Sequence, residues 1–171
     1  MEINLKLLPC IPILISLVFI SGGLGFAQEK TNISAGAGFT ETLNLGVRFQ
    51  VPNQSQIGVS IGSWPAPEEN WLIDWESWLS LSGDYYYHFG DTTRFSVLFP
   101  WYIRTGVVYI RIVDEEFKDN NLEYHLRTGR DIYFSRNVGI SLDAGIALFV
   151  INESGFTTLL PAFGIGLFAR F

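Results

Sequence analysis

The amino-acid sequence predicts an all-β fold: a closed, antiparallel, up-and-down transmembrane β-barrel of about eight strands, preceded by a cleaved signal peptide. Three observations carry this. From Ile33 onward, hydrophobicity alternates with period two, as it does when successive side chains point to opposite faces of a strand. The apolar content is 48%, yet no stretch beyond residue 27 approaches the ~18 consecutive apolar residues of a membrane helix. The residues interleaved with the apolar ones are mostly small, and this decides which face is buried.

The first 27 of the 171 residues read as a secretory leader. Lys6 gives a weak positive start, partly offset by Glu2, and an apolar run extends from Leu7 to Ile20. Gly22-Gly23 then breaks the run, and Gly25-Phe26-Ala27 places small residues for cleavage before Gln28. An uncleaved anchor is the rival reading; Pro9, Pro12 and the short apolar core argue against it. Cys10, the only cysteine, has most of the hydrophobic run after it, whereas a lipoprotein cysteine ends one. The expected organisation is therefore a leader over 1–27 and one barrel domain over 28–171. The mature chain would lack thiol and disulfide chemistry. Loss of Glu2 and Lys6 together leaves the formal net charge at −6, and an acidic chain with no basic run is a poor nucleic-acid binder.

Strands are predicted at 33–40, 43–51, 56–64, 75–89, 95–112, 122–134, 138–151 and 159–171. In the second, Leu43, Leu45, Val47, Phe49 and Val51 share one face, and Asn44, Gly46, Arg48 and Gln50 the other. Connections at 52–55, 90–93 and 135–137 are short turn sequences. Those at 65–74, 113–121 and 152–158 are longer and rich in acids, Pro, Asn or Gly. Short turns at one end and long loops at the other describe an outer-membrane barrel, although the first outer loop, around Glu41-Thr42, is unusually tight. Gly36, Gly46, Gly58, Ser60, Gly62, Ser82, Gly106, Ser141, Gly145, Gly164 and Gly166 are among the non-apolar partners. A solvent-facing sheet would favour Lys, Glu and Thr there, since glycine weakens a strand. A narrow lumen needs small residues to make room for its few large ones. Apolar residues therefore face out. Tyr85, Tyr87, Phe89, Phe95, Phe99, Trp101 and Phe134 sit near turns, where interfacial aromatic girdles belong. Trp64, Trp71, Trp75 and Trp78 cluster about the second outer loop, as interface anchors or as a stacking site.

The C-terminal run Phe163-Gly-Ile-Gly-Leu-Phe-Ala-Arg-Phe171 resembles the terminal assembly signal of small outer-membrane barrels of the OmpA-transmembrane and OmpX type. That signal has a final Phe and hydrophobic residues at alternate positions, here Phe163, Ile165, Leu167, Ala169 and Phe171. Tyr85-Tyr-Tyr-His-Phe-Gly90 and Asp131-Ile-Tyr-Phe-Ser-Arg-Asn-Val-Gly139 resemble segments of Bacteroidota barrels of this kind. The resemblance spans nearly all of 28–171. It implies insertion into the outer membrane by the assembly machinery with periplasmic chaperones, among outer-membrane lipids and lipopolysaccharide. It implies no shared activity.

The inward register carries Arg48, Asp84, Arg104, Glu123, Arg127, Asp131, Asp143 and Arg170, with His88 and His125 nearby. The expected arrangement is an ion-pair network plugging a lumen that side chains fill; a narrow pore or small-ligand carrier is the alternative. Arg111 and Arg130 break parity, either by snorkelling at strand ends or through a bulge. Catalysis is not expected. His88-Phe89-Gly90 and His125-Leu126-Arg127 lack the His-x-Ser pair of some outer-membrane lipid A deacylases, so a lipid-modifying enzyme ranks last. No phosphate loop, metal motif or cofactor site appears. Asp74, Glu76 and Asp114-Glu115-Glu116 are candidates for Ca²⁺ or for bridging lipopolysaccharide through divalent cations.

Overall fold

The computed structural model describes residues 31–39, 41–65, 77–96, 98–113, 118–151 and 156–171. The leader at 1–27, Trp71, Trp75 and the loop acids Asp74, Glu76 and Asp114 to Glu116 lie outside them. Eight strands follow one another: β1 (Thr31–Gly38), β2 (Thr42–Val51), β3 (Ser55–Pro65), β4 (Ser77–Phe89), β5 (Trp101–Val113), β6 (Lys118–Tyr133), β7 (Val138–Ile151) and β8 (Phe156–Arg170). Each pairs antiparallel with the next, and β8 returns to β1 to close the barrel. At the seam, the N–H of Phe171 donates to the carbonyl of Thr31 at 2.9 Å, and that of Thr31 to Phe171 at 3.2 Å.

The faces are inverted relative to a soluble protein. Leu45 is 61% exposed whereas Arg48, three residues on, is 7% exposed. The same contrast runs round the wall, with Ile57, Val59 and Ile61 outside against Gln56, Gly58 and Gly62 inside. Burying such an exterior in lipid removes its apolar surface from water. Inside, glycines complement the large residues. A side chain at Gly129 would run into the ring of Tyr102, and one at Gly139 into that of Phe168.

Two parts differ from the sequence expectation. The fifth strand, expected from residue 95 after a tight turn at 90–93, begins at Trp101. The described residues between Gly90 and Pro100 instead cover the turn-end mouth, held there by Gln54, His88 and Arg170. Gly90 starts this segment with φ +101°, a conformation that suits glycine. Alternation at Phe95, Val97 and Phe99 mimics a strand, but burial of Leu98, with no exposed surface, overrides that local pattern. Phe95 and Phe99 thus belong to this segment and not to the aromatic girdle of the wall. Tyr85, Tyr87, Phe89, Trp101 and Phe134 do stand exposed at that end.

At the loop end, β1 stops at Gly38 and the chain turns into β2 by Thr42. The ladder between β1 and β8 ends at Gly38 and Gly164, followed by one bond from the Phe39 N–H to the Phe163 carbonyl at 2.9 Å. The first part of β8, Phe156 to Ala162, therefore pairs with β7 alone. Arg111 and Arg130 need no bulge, because the β5–β6 register is unbroken from Trp101 opposite Arg130 to Val113 opposite Lys118. Both lie near strand ends and face outward, and Arg130 rests over the Trp101 ring at 5.1 Å.

Candidate functional site: the charged lumen

Period-two strands deliver their alternate residues to one shared interior, so the lumen's chemistry follows from which polar residues occupy inward positions. From β4 come Ser82, Asp84, Tyr86 and His88; from β5, Tyr102 and Arg104; from β6, Glu123, His125, Arg127 and Asp131; from β7, Ser141 and Asp143. β2 adds Arg48 and β8 adds Arg170.

The centre is built round two arginines that stand opposite each other, Arg104 on β5 and Arg127 on β6. Arg104 grips Asp84 with two hydrogen bonds, Nε to Oδ1 at 3.0 Å and Nη2 to Oδ2 at 2.9 Å, the fork geometry that a planar guanidinium suits. Asp143 serves both arginines, at 3.6 Å from Arg104 and 3.3 Å from Arg127, and accepts a hydrogen bond from the Tyr102 hydroxyl at 3.2 Å. Glu41 completes the group. Its Oε1 lies 2.5 Å from Arg104 Nη2 and 3.1 Å from Arg127 Nη2. Glu123 lies 3.6 Å from Arg127. His125 sits between Asp84 at 2.8 Å and Glu123 at 3.5 Å.

A second layer lies toward the turn end. Arg48 lies over the Tyr86 ring at 4.4 Å and 3.8 Å from Asp131, and Asp131 also accepts from Ser141 Oγ at 2.7 Å. Arg170 fans its donors to Asn32 Oδ1 at 3.0 Å, Ser96 Oγ at 2.7 Å and Tyr133 Oη at 2.9 Å. It thereby joins β8 to β1, to β6 and to the 90–100 segment. That segment is tied down elsewhere too, the Asp131 N–H donating to the Pro100 carbonyl at 2.8 Å. The Phe99 N–H donates to Gln54 Oε1 at 3.1 Å, and the Phe99 carbonyl lies 2.9 Å from His88 Nδ1. His88 Nε2 faces Gln56 at 3.1 Å.

All eight sequence-predicted lumen charges are thus inside. Asp84, Arg104, Glu123, Arg127 and Asp143 come together at the centre. Arg48 pairs with Asp131, while Arg170 is held by neutral partners. Asp131 and Asp143 lie diagonally across β6 and β7, opposite Ser141 and Gly129 respectively, and pair with different arginines. Glu41 is the residue that sequence reasoning passed over. Strand parity would put it outside with Leu43 and Leu45, and only the reversal of the tight turn carries it inward. Tyr86 and Tyr102 were also missed, because their outward neighbours, Tyr85 and Tyr87 for the one and Trp101 for the other, drew the aromatic assignment. The terminal set Phe163, Ile165, Leu167 and Phe171 lies on the outer face at 51–72% exposure.

The arrangement sets limits on chemistry. Ser82, Asp84 and His125 have the composition of a hydrolytic triad in a different order. Both Ser82 Oγ (2.8 Å) and His125 Nε2 (2.8 Å) bond the carboxylate, whereas nucleophilic activation requires the serine on the imidazole. Glu41, Asp84 and His125 bring ligand atoms within 4.8 Å of one another, but Arg104 Nη2 already bonds both carboxylates. A metal ion there would face that guanidinium. Among the described residues, cavities of about 30 Å³ each include two that are both bordered by Ser34, Glu41, Asn44, Arg48 and Arg104. Each has room for about one water molecule.

No family model and no curated protein matches the sequence. Among solved structures, the chain is similar to the N-terminal β-barrel domain of Pseudomonas aeruginosa OprF, with a TM-score of 0.54 at 16% identity, covering 84% of this chain and all of that one. Neisserial surface protein A gives 0.41 at 11% identity over 83% and 94% of the two chains. A major outer membrane protein from Thermus thermophilus gives 0.37 at 14% identity over 84% and 100%. The OprF comparison, with the closed strand order, gives the chain the fold of the small eight-stranded outer-membrane β-barrels.

Proposed function

We propose that the protein is a non-enzymatic barrel of the outer membrane, exported by its leader, whose lumen is sealed by paired charges. Its role is structural or one of surface interaction through the acidic, tryptophan-bearing outer loops. Outer-membrane lipids and lipopolysaccharide surround it, and the assembly machinery with periplasmic chaperones delivers it by reading the end of β8. The observation that carries the closed reading is the mutual pairing of Arg104 and Arg127 with Glu41, Asp84 and Asp143 at the barrel's centre. Removing one partner of a buried pair strands its mate, at a cost of ~3–5 kcal/mol. Arg104→Ala is therefore expected to lower unfolding stability by about that amount and to create no steady conductance. Planar-bilayer recording of wild type and variant beside their thermal unfolding tests this; steady open channels in the wild type would overturn it.

A narrow pore or small-ligand carrier is the second reading, and one observation favours it. Both cavities border Arg48 and Arg104, so displacement of these two side chains would join them.

A further inference from the structure

Arg130 is a cation on the apolar outer wall. Its register neighbours there are Trp101 on β5 and Leu142 on β7, 43% and 40% exposed, and Ile132 follows it on the same face. Among the described residues, no carboxylate forms an ion pair with it; the Trp101 ring, 5.1 Å from the guanidinium carbon, is the partner that fixes it. It sits three residues from the end of β6, at the turn end, in line with the exposed aromatic residues. The exposed side-chain charges on that rim, among the described residues, are Arg94, Arg130 and Arg136 against Asp91 alone.

A guanidinium beside a lipid-facing belt is costly unless it meets an anion or water at the interface. The anions at that depth are lipid phosphates. A phosphodiester accepts two parallel N–H bonds from a guanidinium, while an interfacial tryptophan holds the headgroup level.

We propose that Arg130 and Trp101 form a binding site for the phosphodiester of an anionic glycerophospholipid in the periplasmic leaflet. The assignment rests on the membrane reading above. Arg130 presents the guanidinium fork, Trp101 holds it against the wall, and the acyl chains run up the apolar face past Ile103 and Leu142.

The test titrates dioleoyl phosphatidylglycerol into the detergent-solubilised, folded full barrel and counts retained lipids by native mass spectrometry. Diacylglycerol, which has the same chains and no phosphate, is the control. Wild type is expected to retain one phosphatidylglycerol in preference to diacylglycerol. Arg130→Gln is expected to weaken that first event about tenfold, as loss of a charge-assisted hydrogen-bonded pair does. Arg130→Lys keeps the charge and loses the fork, and should weaken it several-fold. Heat-modifiable gel mobility confirms that each variant is folded. Equal phosphatidylglycerol retention by wild type and either folded variant, or equal retention of diacylglycerol, overturns the site. Failure of the wild type to insert into phospholipid vesicles would instead overturn the membrane reading, so the two failures are distinguishable.

Discussion

Arg104 and Arg127 stand directly opposite each other on neighbouring strands, a placement that like charges tolerate only with acids between them. Glu41 supplies part of that charge from outside the strands, so its removal should be felt by both arginines. Glu41→Ala is expected to cost about 3 kcal/mol, the low end for a broken buried pair, because Asp84 and Asp143 remain to hold the stranded guanidiniums. Urea unfolding from vesicles or micelles measures it, and a loss below ~0.5 kcal/mol, as at an ordinary surface site, would show that Glu41 is dispensable. At Gly129 the constraint is space: a methyl group would overlap the Tyr102 ring. Gly129→Ala should destabilise by ~1–3 kcal/mol, the usual penalty for overpacking, whereas Gly83→Ala, with no atom within reach of its Cβ on the outer wall, should be nearly silent.

At the scale of elements, Pro161 is informative. A proline inside a sheet removes a ladder hydrogen bond unless its missing N–H would have faced an edge. Residues 163 and 171 bond toward β1, so every second residue between and beyond them does too, and position 161 is in that set. β1 ends before reaching it. Pro161→Ala should therefore change stability by less than ~0.5 kcal/mol, while Ala162→Pro, on the side paired with β7, should cost about 3 kcal/mol by analogy with a broken helical bond. Equal effects of the two substitutions would contradict the register. The segment from Gly90 to Pro100 makes the complementary point. Leu98 fills the mouth with no exposed surface, and Leu98→Ala should cost ~2–5 kcal/mol, far more than a residue in a solvated turn.

For the molecule as a whole, strand number, inversion of faces and the inward register were legible because one periodicity encodes all three. Leu45 and Arg48 differ in parity and so in fate, wherever the chain goes. The eight inward charges could be picked out by the same rule. Their partners could not, since pairing depends on stagger between strands, as the division of Asp131 and Asp143 between different arginines shows. Glu41 and the 90–100 segment escaped because both leave the strand alternation on which the reading rests. In the first, a tight turn reverses a side chain. In the second, an alternating run lies across the barrel instead of along it. Deleting Phe171, 72% exposed at the seam beside Thr31, should lower the amount of barrel reaching the outer membrane and leave chain in the periplasm. Membrane fractionation would show this, and undiminished insertion would tell against an assembly role for the last residue.

Arg170, at the end of β8, holds Ser96 in the middle of the chain, so one anchor of the 90–100 segment arrives only with the last strand. The strands up to β7 can zip together while the last one is still absent, but the 90–100 segment then lacks its arginine anchor. Until then the segment keeps only its ties to Gln54, His88 and Asp131, so its full anchoring requires the seam to be shut. A protease cutting after Arg94, an exposed residue in this segment, should cleave assembly intermediates quickly and the finished barrel slowly, with protection appearing at the moment β8 joins β1. Arg170→Ala removes one tie and leaves those to Gln54 and His88, and should give a closed barrel that is cleaved at Arg94 faster than the wild type.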